Sequence, residues 1–257
     1  MENISLVLAD LDGTLFHDNK TVSAYTKQVV SEVQKKGILF GIATSRARVN
    51  AERLLGGISP DVMITNGGAL AVCRGKKVYS CEFSVEEVRL LIGAVFKIFG
   101  ADAVFSVDNE NSLYSNSKEL MGDGFWTFTD FSDFCEPAMK LCIETLDRNK
   151  VAAVASVLKS GRVDFLPFSD IPWYKLSRKD ALKEKAVEAL CRHMGLSASK
   201  VAAFGDDFAD IGMLRACGTG VAMQNAIPQV KAAADELCAS NENDGVARWM
   251  AERLLGA

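Results

Sequence analysis

The sequence has little of what structural zinc sites and disulfide frameworks require. Only two histidines are present, and the seven cysteines are spread over 257 residues without a Cys-x-x-Cys pair. Zinc sites use closely spaced Cys and His ligands, and small disulfide frameworks use paired cysteines. We therefore expect neither feature. Free thiols in odd number suit a reducing compartment, which predicts a cytoplasmic protein.

Long apolar runs and blocks of basic charge are also missing. No stretch approaches the roughly 20 consecutive apolar residues that span a bilayer. The opening Met-Glu-Asn and the short apolar run that follows do not have the pattern of a signal peptide. Lys and Arg number 29 against 33 Asp and Glu, with no basic cluster to contact a phosphate backbone. We expect no membrane partner and no nucleic acid partner.

What the sequence does contain is an alternation of strands and helices that is interrupted once. Residues 5–65 predict the order β-α-β-α-β, and the alternation resumes after Pro172, which indicates a parallel sheet with helices on both faces. A hairpin around Arg74–Lys76 begins antiparallel pairing at the end of the first part. An inserted α+β segment is then indicated by a capping-box helix starting at Ser84, by a helix over 148–158 and by strand candidates at 103–107, 113–115, 140–144 and 162–166. A helix over 179–194 is expected where the alternation resumes. We predict an α/β core domain formed by residues 1–81 and 179–257, and an inserted domain formed by residues 82–178. No Gly-x-Gly-x-x-Gly follows the first strand, so a nucleotide-dependent oxidoreductase is set aside.

The strongest chemical signal is Asp10-Leu11-Asp12-Gly13-Thr14, at the end of the first apolar strand. Ligands of open α/β sheets bind beyond the carboxyl ends of the strands, which is where this pair of carboxylates is expected. An aspartate can attack phosphorus and form a covalent intermediate that water then cleaves, and Asp10 is placed for that role. Asp12 is the candidate general acid and base. Alone, the motif is also compatible with a solvated turn, because Asp and Gly are common turn formers.

Two further motifs follow other predicted strands. Thr44 and Ser45 precede a helix, where their hydroxyls and the free amides suit a phosphate oxygen, although simple helix capping is the commoner reason for such residues. Asp206, Asp207 and Asp210 supply three carboxylates after another strand. Oxygen ligands of this kind suit Mg²⁺, which would offset the repulsion between the carboxylates and a phosphate. Asp207 fits an acidic helix start as well.

A phosphoryl transition state also requires fixed positive charge. Four lysines precede the Asp206–Asp210 motif, and the sequence pattern alone does not show which of them supplies this charge: Lys175, Lys179, Lys183 and Lys185.

In this order, the motifs resemble those of the haloacid dehalogenase superfamily, in particular its Cof-type (subclass IIB) phosphatases. The resemblance extends over essentially the whole chain and rests on six segments: Asp10–Leu15, Ala43–Arg46, Asn66–Gly68, Val201–Leu214, Gly220–Ala226 and Asn241–Val246. It implies a Rossmann-like three-layer core with a parallel sheet and an inserted α+β cap of the C2 type. The chain departs from the family pattern at three positions, with Ser45 and Glu184 where glycine is usual and Ala209 where asparagine is usual. The change at Ala209 is expected to affect the rate and not the type of reaction.

The resemblance also assigns roles to individual residues. It makes Asp10 the nucleophile and Asp12 the acid/base, and it predicts Mg²⁺ held by Asp10, the main-chain carbonyl of Asp12 and the carboxylate of Asp206. The family lysine falls on Lys183, with Lys179 and Lys185 as the next choices. We expect the phosphate to be bound by four residues and supported by three more: Gly13, Thr44, Ser45 and Lys183, then Asn66, Asp207 and Asp210.

Three functions are compatible with these assignments. The first is Mg²⁺-dependent hydrolysis of a small phosphorylated metabolite, a sugar phosphate or a related compound. The second is a phosphomutase, which shares the core chemistry but returns the phosphoryl group to its substrate. The third is a catalytically silent protein that binds a phosphorylated ligand. The sequence does not indicate which phosphomonoester is bound, nor the oligomeric state.

Overall fold

A computed structural model describes residues 4–158, 161–168 and 171–256. The chain divides into two compact units, the first comprising Met1–Arg46, Ala51–Ser80 and Leu182–Ala257, and the second Ala47–Asn50 and Cys81–Ala181. The opening residues, 1–3, on which part of the signal-peptide prediction rests, lie outside the described part of the chain. No helix among the described residues is long and apolar enough to cross a bilayer.

The first unit is built on an eight-stranded sheet in the order β14-β13-β12-β1-β2-β3-β4-β5. Its strands are β1 (Leu6–Ala9), β2 (Leu39–Ala43), β3 (Val62–Thr65), β4 (Leu70–Cys73), β5 (Lys76–Ser80), β12 (Val201–Gly205), β13 (Thr219–Ala222) and β14 (Glu236–Leu237). Its helices are α1 (Ala24–Lys35), α2 (Arg48–Leu54, whose first residues count with the second unit), α5 (Lys183–Met194), α6 (Ile211–Ala216), α7 (Pro228–Lys231) and α8 (Gly245–Met250).

The second unit is built on a six-stranded sheet in the order β10-β11-β9-β6-β7-β8. Its strands are β6 (Phe105–Asp108), β7 (Leu113–Ser115), β8 (Trp126–Phe128), β9 (Lys140–Glu144), β10 (Val163–Pro167) and β11 (Trp173–Arg178), and its helices are α3 (Val85–Phe99) and α4 (Arg148–Ala155). The predicted capping box opens α3, since Ser84 Oγ accepts from the amide of Glu87 and Glu87 reaches back to the amide of Ser84.

The central strands explain why the first sheet forms and where it leads. β1 is buried throughout and pairs in parallel with β2 and β12, with Leu6 opposite both Leu39 and Val201. Strands covered on both faces read as continuous apolar runs, as β1 does. Because β1, β2 and β12 run side by side in one direction, the residues that follow them emerge at one edge of the sheet.

The α/β fold class is confirmed, and so is the predicted hairpin at Arg74–Lys76, which joins β4 and β5. The expected parallel sheet is mixed, because β3-β4 and β4-β5 pair antiparallel. Trp173–Arg178 forms an interior strand that the sequence did not predict, paired with both β9 and β10. The helix expected over 179–194 begins at Lys183, because the amide of Lys179 continues the strand pairing to the carbonyl of Arg162 and the amide of Ala181 donates to the carbonyl of Arg178 in a turn. The helix expected over 148–158 ends at Ala155. Two short strands, β8 and β14, had no clear sequence signal.

Candidate active site

The candidate site lies where β1, β2 and β12 end. Asp10 follows β1, Thr44 follows β2, and Asp206 follows β12. These three line one cavity of about 450 Å³, together with most of the predicted site residues: Asp12, Gly13, Ser45, Lys183, Asp207 and Asp210. Asn66 does not line it. The sheet topology thus brings together motifs that are far apart along the chain.

Lys183 is the charged centre of this cluster. Its Nζ lies 2.7 Å from Asp10 Oδ1 and 2.6 Å from Asp210 Oδ1, and the residue is only 3% exposed. The three other lysines considered lie elsewhere. Lys175 is on β11, Lys179 is exposed, and Lys185 pairs with Glu188 at 3.7 Å on the surface of α5. Lys183 is therefore the lysine that the fold delivers to Asp10.

Gly68 allows α5 to begin so close to the third strand. A Cβ on Gly68 would lie 2.2 Å from the carbonyl carbon of Leu182, next to Lys183, and the residue has φ of +101°. Only glycine accommodates both the close approach and the left-handed backbone. The turn after β3 thereby sets the position of Lys183.

Asp206 is held by the turn that carries Gly13. Thr14 Oγ1 donates to Asp206 Oδ1 at 2.7 Å, and a Cβ on Gly13 would lie 2.3 Å from Asp206 Oδ2. Gly13 also has φ of +75°. Because Gly13 has no side chain, the Asp10–Thr14 and Asp206–Asp210 motifs can approach each other. Gly13 also permits the sharp turn after Asp12.

Asp210 and Asp207 have structural partners of their own. Asp210 Oδ1 accepts from Lys183, and its Oδ2 accepts from the amides of Asp206 and Asp207 at 3.0 and 3.1 Å. Asp207 is exposed and caps the short turn that follows, accepting from the amide of Phe208 at 2.7 Å. The position of Asp207 agrees with the helix-start interpretation of this residue.

The carboxylates of Asp10, Asp206 and Asp210 fit a divalent cation. One oxygen from each lies within 4.8 Å of the others. Both oxygens of Asp210 are engaged by Lys183 and by backbone amides, which leaves Asp10 and Asp206 as the carboxylates with oxygens to offer. An all-oxygen donor set with few protein ligands suits Mg²⁺.

The electrostatics of the cluster also favour a cation. Burial is the main cause that raises the pKa of Asp10 to about 8, against the opposing charge of Lys183 and together with the charges of Asp210 and Asp206. Partial burial raises the pKa of Asp206 to about 6, with Asp210 and Asp207 adding to the effect. Burial would lower the pKa of Lys183, but Asp10 and Asp210 outweigh it and raise that pKa. Lys183 therefore stays charged, and once they are ionised the three carboxylates carry more negative charge than this ammonium offsets.

These pKa shifts predict opposite pH dependences for the metal-free and metal-bound protein. The folded pKa values of Asp10 and Asp206 lie above the ordinary value of 3.8. Their contribution to stability is therefore largest below about pH 3.8 and is lost as the pH rises from there to about 6 for Asp206 and about 8 for Asp10. Mg²⁺ must displace these protons, so its apparent affinity should fall by about tenfold per pH unit below pH 8. Melting curves in EDTA and in Mg²⁺ should diverge as the pH rises from about 5.5 to 8.5. A constant difference would contradict the assignment of Asp10 and Asp206 as ligands.

Asp12 is held by two cations that the sequence did not single out. Arg46 binds it through both oxygens, with Nε 2.6 Å from Oδ2 and Nη2 2.7 Å from Oδ1, and Lys20 Nζ lies 2.9 Å from Oδ1. Burial would raise the pKa of Asp12, but the hydrogen bonds from Arg46 and Lys20 outweigh it and hold this pKa below its ordinary value. In this arrangement Asp12 is an ionised carboxylate. Arg46 is the last residue of the Ala43–Arg46 motif, whereas no sequence pattern pointed to Lys20.

The loop that carries Lys20 is fastened by side chains from the last third of the chain. Asn225 Nδ2 donates to the carbonyl of Gly13 at 2.7 Å, and Asn241 Nδ2 donates to the carbonyl of Phe16 at 3.0 Å. The amide of Asp18 donates to Glu242 Oε1 at 2.6 Å. These contacts tie the segments Gly220–Ala226 and Asn241–Val246, which resemble the family, to the loop that follows Asp10.

The residues of the second motif are tied to the turn after β3. Thr44 is buried, and its Oγ1 accepts from the amide of Arg46 at 3.1 Å. The amide of Asn66 donates to the carbonyl of Arg46, and the amide of Gly67 donates to the carbonyl of Thr44. The side-chain amide of Asn66 is buried without a hydrogen-bond partner among the described residues. Asn66 thus fixes the second motif through its backbone.

The fold and the strand-end cluster together define an α/β enzyme with an acidic crevice. The chain belongs to the haloacid dehalogenase-like hydrolases, since the family profile matches residues 7–250. The predictions of this family and of a hydrolytic enzyme are thereby confirmed.

Individual relatives are distant but cover the chain almost completely. The stress response protein YhaX of Bacillus subtilis is 27% identical, over 96% of this chain and 92% of its own length. The 5-amino-6-(5-phospho-D-ribitylamino)uracil phosphatase YitU of the same species is 24% identical, over 96% of both chains. The structure of the subclass IIB sugar phosphatase BT4131 superposes with a TM-score of 0.75 at 22% identity, covering 96% of this chain and 98% of the other. At that identity the likeness bears on the fold alone.

Proposed function

We propose that this hydrolase is a Mg²⁺-dependent phosphatase that acts on small phosphomonoesters through a covalent aspartyl-phosphate on Asp10. The observation that carries the proposal is the surroundings of Asp10. Its carboxylate lies at the cavity wall, with Oδ1 bound by the buried ammonium of Lys183 and with Asp12 two positions along the chain. A nucleophile beside fixed positive charge suits attack on a dianionic phosphoryl group.

The proposed reaction balances with water as the only co-reactant. Asp12, ionised in its ion pair with Arg46 and Lys20, must first take up a proton from solvent. An oxygen of Asp10 then forms a bond to phosphorus as the ester P–O bond breaks, and Asp12 gives its proton to the leaving oxygen. Water then attacks phosphorus, Asp12 takes its proton, and the bond from Asp10 to phosphorus breaks. Lys183, Thr44, Ser45 and the backbone at Gly13 hold the phosphoryl oxygens.

A divalent cation bound by Asp10, Asp206 and the main-chain carbonyl of Asp12 would supply charge neutralisation and orientation. Asp210 keeps Lys183 in place, and Asn66 and Asp207 support the loops. The substrate we propose is a sugar phosphate or a related metabolite, and the compartment is the cytoplasm. The core and inserted domain boundaries, and the role of the second unit as a cap, stay predictions.

The assay that tests this function compares the parent protein with Asp10→Asn on a panel of phosphomonoesters, each with Mg²⁺ and with excess EDTA. We expect phosphate release from the parent with Mg²⁺ only. Isomerised ester with little phosphate would indicate a mutase instead. Binding without either product in the parent would show that the site is silent.

A further inference from the structure

Arg46 and Lys20 raise a question that the proposed reaction leaves open. Asp12 Oδ2 accepts from Arg46, and Asp12 Oδ1 accepts from both Arg46 and Lys20. A carboxyl group that gives a proton to an ester oxygen must direct one of its own oxygens at that atom. These contacts take three of the roughly four lone-pair positions of the carboxylate, so directing an oxygen of Asp12 at the ester competes with the ion pair.

Any turn of Asp12 towards the ester weakens its contacts with the guanidinium of Arg46 and the ammonium of Lys20. The side chain of Arg46 is 28% exposed and that of Lys20 is 48% exposed, so water compensates them only in part. Leaving a partly buried charge without its partner is costly. A second anion at the same place would remove that cost.

Both cations are held in position by the surrounding backbone. The amide of Arg46 donates to Thr44 Oγ1, and the carbonyl of Arg46 accepts from the amide of Asn66. Lys20 has φ of +62°, a left-handed conformation that is unfavourable for lysine. The amide of Lys20 donates to the carbonyl of His17, and the amide of His17 donates to the carbonyl of Thr21, which stabilises this conformation. His17 Nε2 lies 3.1 Å from Asp244 Oδ1. Cations presented this firmly suit recognition of a ligand.

We infer that Arg46 and Lys20 form a carboxylate-binding subsite for the leaving group, so that the preferred substrates are phosphorylated hydroxy acids with a carboxylate close to the ester oxygen. The inference rests on the proposed function and narrows it. The group that these cations bind in the structure is itself a carboxylate in the two-pronged geometry that arginine favours. A substrate carboxylate would take that place while Asp12 turns to the adjacent ester oxygen.

The test uses two esters that differ only in this group, 2-phosphoglycerate and glycerol 2-phosphate, in which a hydroxymethyl group replaces the carboxylate. The measured quantity is the ratio of their kcat/KM values with Mg²⁺. For the parent we expect a preference of about 10- to 100-fold for the carboxylate ester, as for a hydrogen bond between charged groups. The ratio should collapse towards one in Arg46→Gln and in Lys20→Gln, whatever their absolute rates.

Two further variants sharpen this comparison. Arg46→Lys keeps the charge without the fork and should give an intermediate ratio. Lys185→Gln removes a lysine that pairs with Glu188 outside the cavity and should keep the parent ratio. A parent ratio near or below one would overturn the inference. A preference that survives in both Gln variants would overturn it as well.

Binding of the two esters to Asp10→Asn with Mg²⁺, measured by calorimetry, separates this inference from the proposed function. If the parent hydrolyses neither ester but Asp10→Asn prefers the carboxylate ester, the subsite stands and the proposed function fails. If neither turnover nor binding shows a preference, the subsite is rejected.

Discussion

Asp10→Asn is expected to abolish turnover and at the same time to raise the melting temperature of the metal-free protein. The amide is no nucleophile, so we expect kcat to fall by at least about 1,000-fold. The stability gain follows from the charges around Asp10. Asp10, Asp206 and Asp210 face a single buried cation, Lys183, and burial together with like charge raises the pKa of Asp10 to about 8. Replacing one carboxylate with a neutral group of similar shape removes repulsion.

The gain should depend on pH in a defined direction. At about pH 8.5 Asp10 is largely ionised, and the variant should be more stable than the parent by about 1 to 2 kcal/mol, which corresponds to roughly 2 to 8 °C. At about pH 6 the parent carboxyl is already protonated, so the difference should shrink. The melting temperatures of the parent and Asp10→Asn in EDTA at both pH values measure this difference. Asp207→Asn is the control, because it removes an exposed carboxylate. A variant that melts below the parent at both pH values would contradict this account.

The sequence alone was sufficient to place residues that follow apolar strands. Asp10, Thr44 and Asp206 each end such a strand, and parallel pairing of β1, β2 and β12 makes their convergence a consequence of the sheet. Local signals were reliable for the same reason: the capping box at Ser84 and the turn at Arg74 and Gly75 depend on neighbouring residues only.

What the sequence did not reveal depends on contacts between distant residues. Lys20 lies on an irregular loop, and its approach to Asp12 depends on a left-handed backbone held by residues such as Asn241. Trp173–Arg178 was missed as a strand because it lies between β9 and β10, and that placement is set by pairing rather than by any turn signal of its own. The choice of Lys183 needed the family resemblance, since spacing on a helix does not distinguish a buried lysine from its exposed neighbours.

Burial of Lys183 between two carboxylates makes removal of its positive charge costly. Lys183→Met leaves Asp10 and Asp210 without the ammonium that contacts them at 2.7 and 2.6 Å. Breaking a buried ion pair from one side typically costs about 3 to 5 kcal/mol, because the remaining charge stays desolvated. We expect a loss of this size in metal-free protein at about pH 8, together with loss of phosphatase turnover.

The double variant Asp10→Asn/Lys183→Met distinguishes lost charge compensation from lost packing. If Lys183 stabilises the fold by neutralising Asp10, the double variant should be more stable than the sum of the single effects predicts, by about 1 to 3 kcal/mol. Urea denaturation of the parent, both single variants and the double variant in EDTA gives this coupling, and Lys185→Met is the matched control on the exposed face of the same helix. The loss of unfolding free energy in Lys183→Met should also become smaller towards about pH 5, because protonation of the carboxylates then neutralises them in place of the ammonium. Additive single effects that do not change with pH would mean that Lys183 acts through packing alone, and its place beside Asp10 would then need another explanation.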